Sequence, residues 1–296
     1  MAPQPQALAR LHRRLPGAAE APWLHQEVAR RMADKLALIR REPAAWLDWW
    51  SARGGGQALL AQRYPQAARL VVEPTVAAQA TMRTAMPSGP LAWLRRQPRS
   101  QVWLESEWQP AEPVPELLWA NMMLHWVADP LTLLRRWHEG LAIDGVLMLS
   151  TFGPDTLAEL RQLYRDLGWP APVHDFQDMH DLGDQLVVAG FADPVMDMER
   201  LTLTWPDADA LLAELRTWGG NAHPGRFTGL RTPRWRARLA QILQDRLAGA
   251  DGRLALTLEI VYGHAVRPLP RPKLAGETRV SLDDMRAMTR ARRAGS

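Results

Sequence analysis

The chain has 296 residues, a formal charge of +4, no cysteine, and 14 tryptophans against 3 tyrosines and 4 phenylalanines. Hydrophobic residues at 47% and charged residues at 23% exclude a wholly disordered chain, the length suits one large domain or two ordinary ones, and the missing cysteine removes disulfide, zinc-thiolate, iron–sulfur and thiol-nucleophile chemistry. No apolar run approaches the roughly 18 residues of a membrane span and no signal-peptide core opens the chain, so a cytoplasmic protein without membrane contact is expected.

Residues 1–22 are rich in Pro, Ala, Arg and Gln with little periodicity, and read as a flexible arm. From Trp23 to about Arg40, apolar residues at helical spacing (Trp23, Val28, Met32, Leu36, Ile39) predict an amphipathic helix. The apolar run 44–50 predicts a strand that ends at a glycine-rich turn, 51–56. A short helix at 57–63 and a strand at 68–73 follow, the latter closing on Glu73. Further strands are predicted at 101–104, 116–120 and 145–151, with helices near 75–85 and 131–140 between them. This alternation implies βαβ units, hence a mostly parallel sheet with helices on both faces. Ligands of such sheets sit beyond the carboxyl ends of the strands, which directs attention to Asp48, Glu73, Glu105, Asn121 and the run from Ser150 to Asp155.

Beyond residue 151 the pattern changes to an added α/β region. A helix at 154–167 leads to a His/Asp-rich stretch, 173–184, that opens another helix. Segments 194–204 and 253–264 alternate with period two and suit antiparallel edge strands, with helices at 207–217 and 233–247 between them. The organisation is therefore a domain over 23–266, with a cofactor half at about 44–151 and a substrate or cap region at about 152–250. From Arg267 onward there are eight basic and three acidic residues, so a flexible tail, 267–296, carries +5 and the remaining chain −1. The overall basicity thus lies in a solvated extension, and no nucleic-acid partner is expected.

An acid closing one strand, a glycine turn, and a second acid about 25 residues later form a nucleoside-binding pattern, met here by Asp48, Gly54 to Gly56 and Glu73. His174 and His180 with Asp175, Asp178 and Asp181 lack the i, i+4 histidine pair of a helical metal site, so no metal is expected. Between Leu215 and Gln244 there is no acid, yet Arg216, Arg226, Arg231, Arg234, Arg236 and Arg238 all lie there. Such a local positive field suits an acidic partner, or is simply a helix face solvated by arginines.

Ser150-Thr-Phe-Gly-Pro-Asp-Thr-Leu157, Asp178-Met-His-Asp-Leu-Gly-Asp184, Ala189-Gly-Phe-Ala-Asp-Pro-Val-Met-Asp-Met-Glu199 and Val261-Tyr-Gly-His264 resemble the biotin-synthesis methyltransferases, as does Trp119-Ala-Asn-Met-Met-Leu-His-Trp126. The resemblance runs from about Trp23 to His264. It implies a Rossmann-like class I fold, S-adenosylmethionine as methyl donor, and malonyl-acyl-carrier protein as acceptor. It also implies that Glu73 holds the donor's ribose, that Glu105 lies near its adenine amino group, and that Asn121 and Trp126 flank it. The family's first motif reads like Leu-Asp-Leu-Gly-Cys-Gly-Thr-Gly, whereas this chain has Leu47-Asp-Trp-Trp-Ser-Ala-Arg-Gly54. Asp48 and Gly54 match; Trp50 and Ala52 replace glycines at places where a Cβ obstructs the cofactor, which predicts an indole where methionine or ribose would lie.

Methylation of a carboxylate needs no general base, because the nucleophile is already ionised; it needs alignment and exclusion of water. Under this reading Arg226 and Tyr262 are candidates to hold the anionic substrate, with Phe152, Asp155 and His180 as walls, and the arginine patch would receive an acidic acyl-carrier protein. The alternatives are a binding or regulatory module that has lost the donor, and a methyltransferase for another small acid or for RNA.

Overall fold

The computed structural model describes residues 3–14, 20–39, 42–86, 99–110 and 112–270. The basic segment from Arg271 onward, most of the predicted tail, lies outside the described residues. The elements run α1 (Pro5–Arg14), α2 (Trp23–Lys35), β1 (Ala45–Trp49), α3 (Ser51–Gly54), α4 (Gln57–Arg63), β2 (Ala68–Glu73), α5 (Val76–Ala85), β3 (Ser100–Leu104), β4 (Leu117–Ala120), α6 (Pro130–Gly140), β5 (Val146–Phe152), α7 (Ala158–Asp166), α8 (Met179–Ala189), β6 (Ala192–Trp205), α9 (Ala208–Thr217), α10 (Pro233–Leu247) and β7 (Leu254–Val266). The seven strands form one sheet in the order β3-β2-β1-β4-β5-β7-β6. Strands β1 to β5 pair in parallel, and β7 joins β5 antiparallel and carries β6 antiparallel on its outer edge. The order reverses between β1 and β4, which is where a parallel α/β sheet opens its ligand crevice.

Strand periodicity sorts the core into two layers. Trp46, Trp119, Met148, Leu256 and Leu258 face one side and pack with α2, α4, α7, α9 and α10. Leu47, Trp49, Leu118, Leu147 and Leu149 face the other, against α6 and α8. The tryptophan excess is largely this core: Trp46, Trp49, Trp119 and Trp137 are among the largest fully buried side chains. Trp49 sits edge-on to Trp108 and Trp137 at 5.1 and 5.6 Å between ring centres. It is therefore a core residue at the end of β1 and no part of the turn that follows. Gly56, at the mouth of α4, is fixed by the same packing, since a Cβ there would lie 2.3 Å from Trp119 Nε1.

Helix starts follow side-chain chemistry. Thr75, Asp129, Asp178, Asp207 and Thr232 each accept a bond from a backbone N–H of the first turn they cap. Pro130 and Pro233 stand at first helical positions, where the missing N–H costs nothing. The segment read as a loose arm contains a helix instead. Ala7 and Leu8 on α1 are buried in the α6–α8 layer, and Gln4 N–H donates to Ala222 O at 2.8 Å. Charged and proline neighbours obscure its apolar positions, and the packing, not the helix propensity, secures it. Among the described residues no helix is long and apolar enough to cross a membrane.

Candidate active site

The chain leaves β1 at Asp48-Trp49 and turns through Trp50, whose φ of 59° and ψ of 48° place it in the left-handed region. A side chain there costs about 1–2 kcal/mol relative to glycine. Hydrogen bonds hold it at both ends: Trp50 N–H donates to Val72 O at 2.7 Å, and the indole Nε1–H to Glu105 Oε2 at 2.7 Å. The indole is thus directed across β2 to Glu105 at the end of β3. It is 3% exposed.

The next turn, α3, is saturated by the strand-end acids. Ser51 Oγ–H donates to Asp48 Oδ2 at 2.6 Å, and Ala52 N–H to Glu73 Oε1 at 2.8 Å. Asn121, at the end of β4, donates through Nδ2 to His25 O and Gly54 O and accepts from Ser150 Oγ at 2.6 Å. A Cβ at Gly54 would meet Asn121 O at 3.4 Å, an ordinary contact, so the Asn121 bond does not itself require glycine there. Asp48 Oδ1 is buried with no partner among the described residues.

Burial sets the electrostatics. Asp48 is pushed up to about 7 by desolvation, only partly offset by Ser51. Glu73 is pushed up to about 8 by desolvation, eased by Ala52 N–H and worsened by Asp48 and Glu105. Glu105 is also raised by burial, against the bond from Trp50 and the charge of Arg136. Folded, these acids hold protons that the unfolded chain releases near pH 4, so their contribution to stability is fully present below pH 4 and is lost as pH rises through 7 to 8. Thermal melts at pH 5 and pH 8.5 should therefore differ by of order 3 kcal/mol in favour of acid. Glu73→Gln, which fixes the neutral state, should flatten that difference.

A cavity of about 270 Å³ lies next to this edge, lined in part by Leu124, His125, Thr151, Phe176, Gln177 and Gln185. His125 Nδ1 lies 3.2 Å from Thr151 Oγ1, and its ring packs on Phe152 and Phe176 at 4.7 and 5.7 Å. His174 Nε2–H donates to His125 O at 2.9 Å, and His25 Nδ1–H to Arg53 O at 2.9 Å. Burial holds all three imidazoles neutral: His25 falls to about 3, His174 to about 4, and His125 well below its ordinary value. Trp126 walls the same group, 5.2 Å from the His125 ring and 5.1 Å from His174.

A second, more open cavity of about 430 Å³ includes Arg10, Tyr164, Arg226, Phe227, Arg231 and Trp235. Arg231 lies over both Phe227 and Trp235, at 3.7 and 4.1 Å.

Of the sequence-predicted donor residues, Asp48, Glu73, Glu105 and Asn121 lie at the carboxyl ends of β1 to β4 and Gly54 in the turn after β1, whereas Trp126 packs on the His125 and His174 rings. The predicted acceptor set does not come together. Phe152 packs on His125, but Arg226 sits in the second cavity, bonded to Gln4 Oε1 and His223 O. Tyr262 is buried on β7, its hydroxyl donating to Glu199 at 3.4 Å under Lys35. Asp155 pairs with Arg200, and His180 is an exposed residue at the start of α8, bonded to its cap Asp178. None of these last three lines the smaller cavity. Sequence reasoning missed His125 and His25, although His125 stands inside the post-β4 string that carries the resemblance, and it singled out Thr151 only as part of the run from Ser150 to Asp155. No cluster of metal-ligating side chains occurs among the described residues.

The methyltransferase domain family matches residues 23–193. A malonyl-acyl-carrier protein O-methyltransferase of Laribacter hongkongensis is 41% identical over 257 residues, covering 86% of each chain. Proteins of the same name from Gallionella capsiferriformans and Halorhodospira halophila are 38% and 36% identical, covering 84% and 93% of this chain and 85% and 91% of theirs. The chain belongs to this methyltransferase family. Its fold is that of class I methyltransferases, and the YcgJ protein of Bacillus subtilis superposes with a TM-score of 0.51 at 12% identity, covering 81% of this chain and all of that one. The departure from the family's first motif, at Trp50 and Ala52, falls on the turn that the strand-end acids surround.

Proposed function

We propose that the chain transfers the methyl group of S-adenosylmethionine to the free carboxylate of malonyl-acyl-carrier protein, a step of biotin precursor synthesis. The observation that carries this reading is the register of Asp48, Glu73, Glu105 and Asn121 at the carboxyl ends of four adjacent parallel strands, in a chain whose relatives bear that name. Asp48 Oδ1 would receive the donor's ammonium, Glu73 its ribose hydroxyls, and Glu105 its adenine amino group once the indole has left. The donor supplies an electrophilic methyl. The acceptor carboxylate oxygen forms the new O–C bond as the S–C bond breaks, that electron pair stays on sulfur, and no proton moves. The protein's own part is alignment and dryness. The half at about 44–151 serves the donor, and the region at about 152–250 the acceptor.

The arginine face offers the carrier a place to dock. Arg231 stands just before α10, and Arg234 and Arg238 present charge along it, whereas Arg236 is partly spent on Asp209 at 2.7 Å and Arg226 on Gln4. Arg216 extends the field from α9. Replacing Arg231, Arg234 and Arg238 together with alanine should raise KM for the carrier about tenfold and remove most of its salt dependence, with kcat little changed. An unchanged salt profile would place docking elsewhere.

The decisive test is incubation with methyl-labelled donor and malonyl-acyl-carrier protein, read by mass spectrometry as a carrier-bound methyl ester. Absence of label on the carrier sinks the reading. A second reading is favoured by the indole bonded to Glu105 and the turn bonded to Glu73: a module that has lost its donor and keeps only the binding surfaces. Calorimetry separates the two, since donor binding ends the second reading and none at millimolar donor ends the first.

A further inference from the structure

We infer that the cavity beside His125 is the subsite for the acid end of the acceptor, with His125 donating a hydrogen bond to the free carboxylate of a short dicarboxylate monothioester. This inference rests on the methyl-transfer reading. Four observations converge on it.

The first is position. His125 follows Asn121 by one turn of chain and Thr151 follows Ser150 directly, and the Ser150–Asn121 bond is the one that secures the glycine turn. The cavity is therefore lined by the segments that continue the chain from Asn121 and Ser150. The second is polar inventory. His125 Nε2 and Gln185 Oε1 are buried without a partner among the described residues, and both residues line the cavity. Unmade bonds at such atoms are costly, so a ligand that completes them gains. In the tautomer in which Thr151 Oγ–H donates to Nδ1, Nε2 carries the proton and can only donate, and a carboxylate can only accept. Gln185 can turn its amide to offer N–H as well.

The third is charge. Burial keeps His125 neutral, so it orients the carboxylate without the full counter-charge that a guanidinium would impose on the attacking oxygen. Asp175 also lines the cavity. The fourth is size. About 270 Å³ holds a three-carbon acyl unit and the start of its thioester arm, not a bulky acceptor. The arm would then leave along α1: Pro3 lines this cavity, while Ala7 and Arg10 line the larger arginine-bearing one.

The test compares equilibrium binding of malonyl- and acetyl-acyl-carrier protein to the wild-type chain and to His125→Ala, His125→Asn and Thr151→Val, with donor affinity measured alongside. The wild-type chain should prefer the malonyl carrier. His125→Ala should cut malonyl affinity about tenfold while leaving acetyl and donor affinities unchanged. His125→Asn, which keeps an N–H donor, should restore most of the loss, and Thr151→Val should weaken the malonyl carrier in the same sense. No malonyl preference in the wild-type chain overturns the assignment. So does a His125→Ala loss that falls equally on both carriers. A malonyl preference that depends on His125 in a chain forming no methyl ester upholds the subsite and instead removes the methyl-transfer reading.

Discussion

Trp50→Gly should tighten donor binding by at least tenfold while lowering thermal stability. The indole spends its N–H on Glu105 and holds a left-handed backbone that glycine adopts freely. Removing it releases about 1–2 kcal/mol of backbone strain and frees a carboxyl from a bond worth about 1.5–3 kcal/mol. A difference of 1.4 kcal/mol is about tenfold in affinity, and the freed bond alone exceeds that, while the strain bears on stability only. Against this, truncating a buried tryptophan costs about 3–5 kcal/mol of packing. The net should appear as a melting temperature lower by about 5–10 °C. Calorimetric titration with S-adenosylmethionine and a thermal scan on the same variant read both effects. Loss of donor binding would show instead that the indole forms a wall of the bound site. Glu105→Gln is the companion variant, since it keeps a hydrogen-bond acceptor for the indole and removes the carboxylate.

Asn121→Ala should be the most damaging single change at the donor edge. Its amide satisfies two carbonyls, those of His25 and Gly54, and accepts from Ser150, all with no solvent exposure. Truncation strands those groups at about 1–3 kcal/mol each, less whatever local relaxation recovers. A total loss of about 4 kcal/mol should lower the melting temperature by about 10 °C. Donor affinity should fall with it, because the glycine turn loses its tie to β4. Asn121→Asp should fare no better, as the carboxylate cannot donate to either carbonyl. A shift of less than about 2 °C in either variant would show that the network is dispensable.

The elements most legible in the sequence were those whose local chemistry agrees with their tertiary role. The run around Val71 and the one around Leu147 are buried on both faces and read as strands at sight. The helix at 233–247 announces itself by Thr232 and Pro233 at its start. The strand-end placement of Asp48, Glu73 and Glu105 was legible for a similar reason, since a carboxylate that closes an apolar strand is costly to bury unless a ligand or a hydrogen-bond donor meets it there. What stayed hidden depends on contacts between distant segments. Helix α1 exists because the α6–α8 layer accepts Ala7 and Leu8, which its own composition does not reveal. Trp50 was visibly out of place, but its direction was set by Glu105, 55 residues away. His125, Thr151 and Phe176 converge from three separate segments, so no spacing rule could have joined them. Tyr262 and Asp155 misled because their neighbours in the fold, Glu199 and Arg200, lie on β6 and had already claimed them.

The edge hairpin has a mechanical consequence. Strand β5 supports β7 only as far as Phe152 opposite Ile260, yet β6 and β7 stay paired six residues further, to Trp205 opposite Leu254. That overhang is edged in turn by the 157–159 segment, Leu157 N–H donating to Thr257 O and Glu159 accepting from Thr257 N–H, and its Leu254, Leu256 and Leu258 are fully buried. It roots at Glu259, which grips the 153–156 turn through Gly153 and Asp155 N–H groups. Helices α9 and α10 are the loop that joins its two strands. The hairpin is thus tied to β5 along one stretch and to the 153–159 segment along the next, and native-state hydrogen exchange would find its amides protected together with those of that segment.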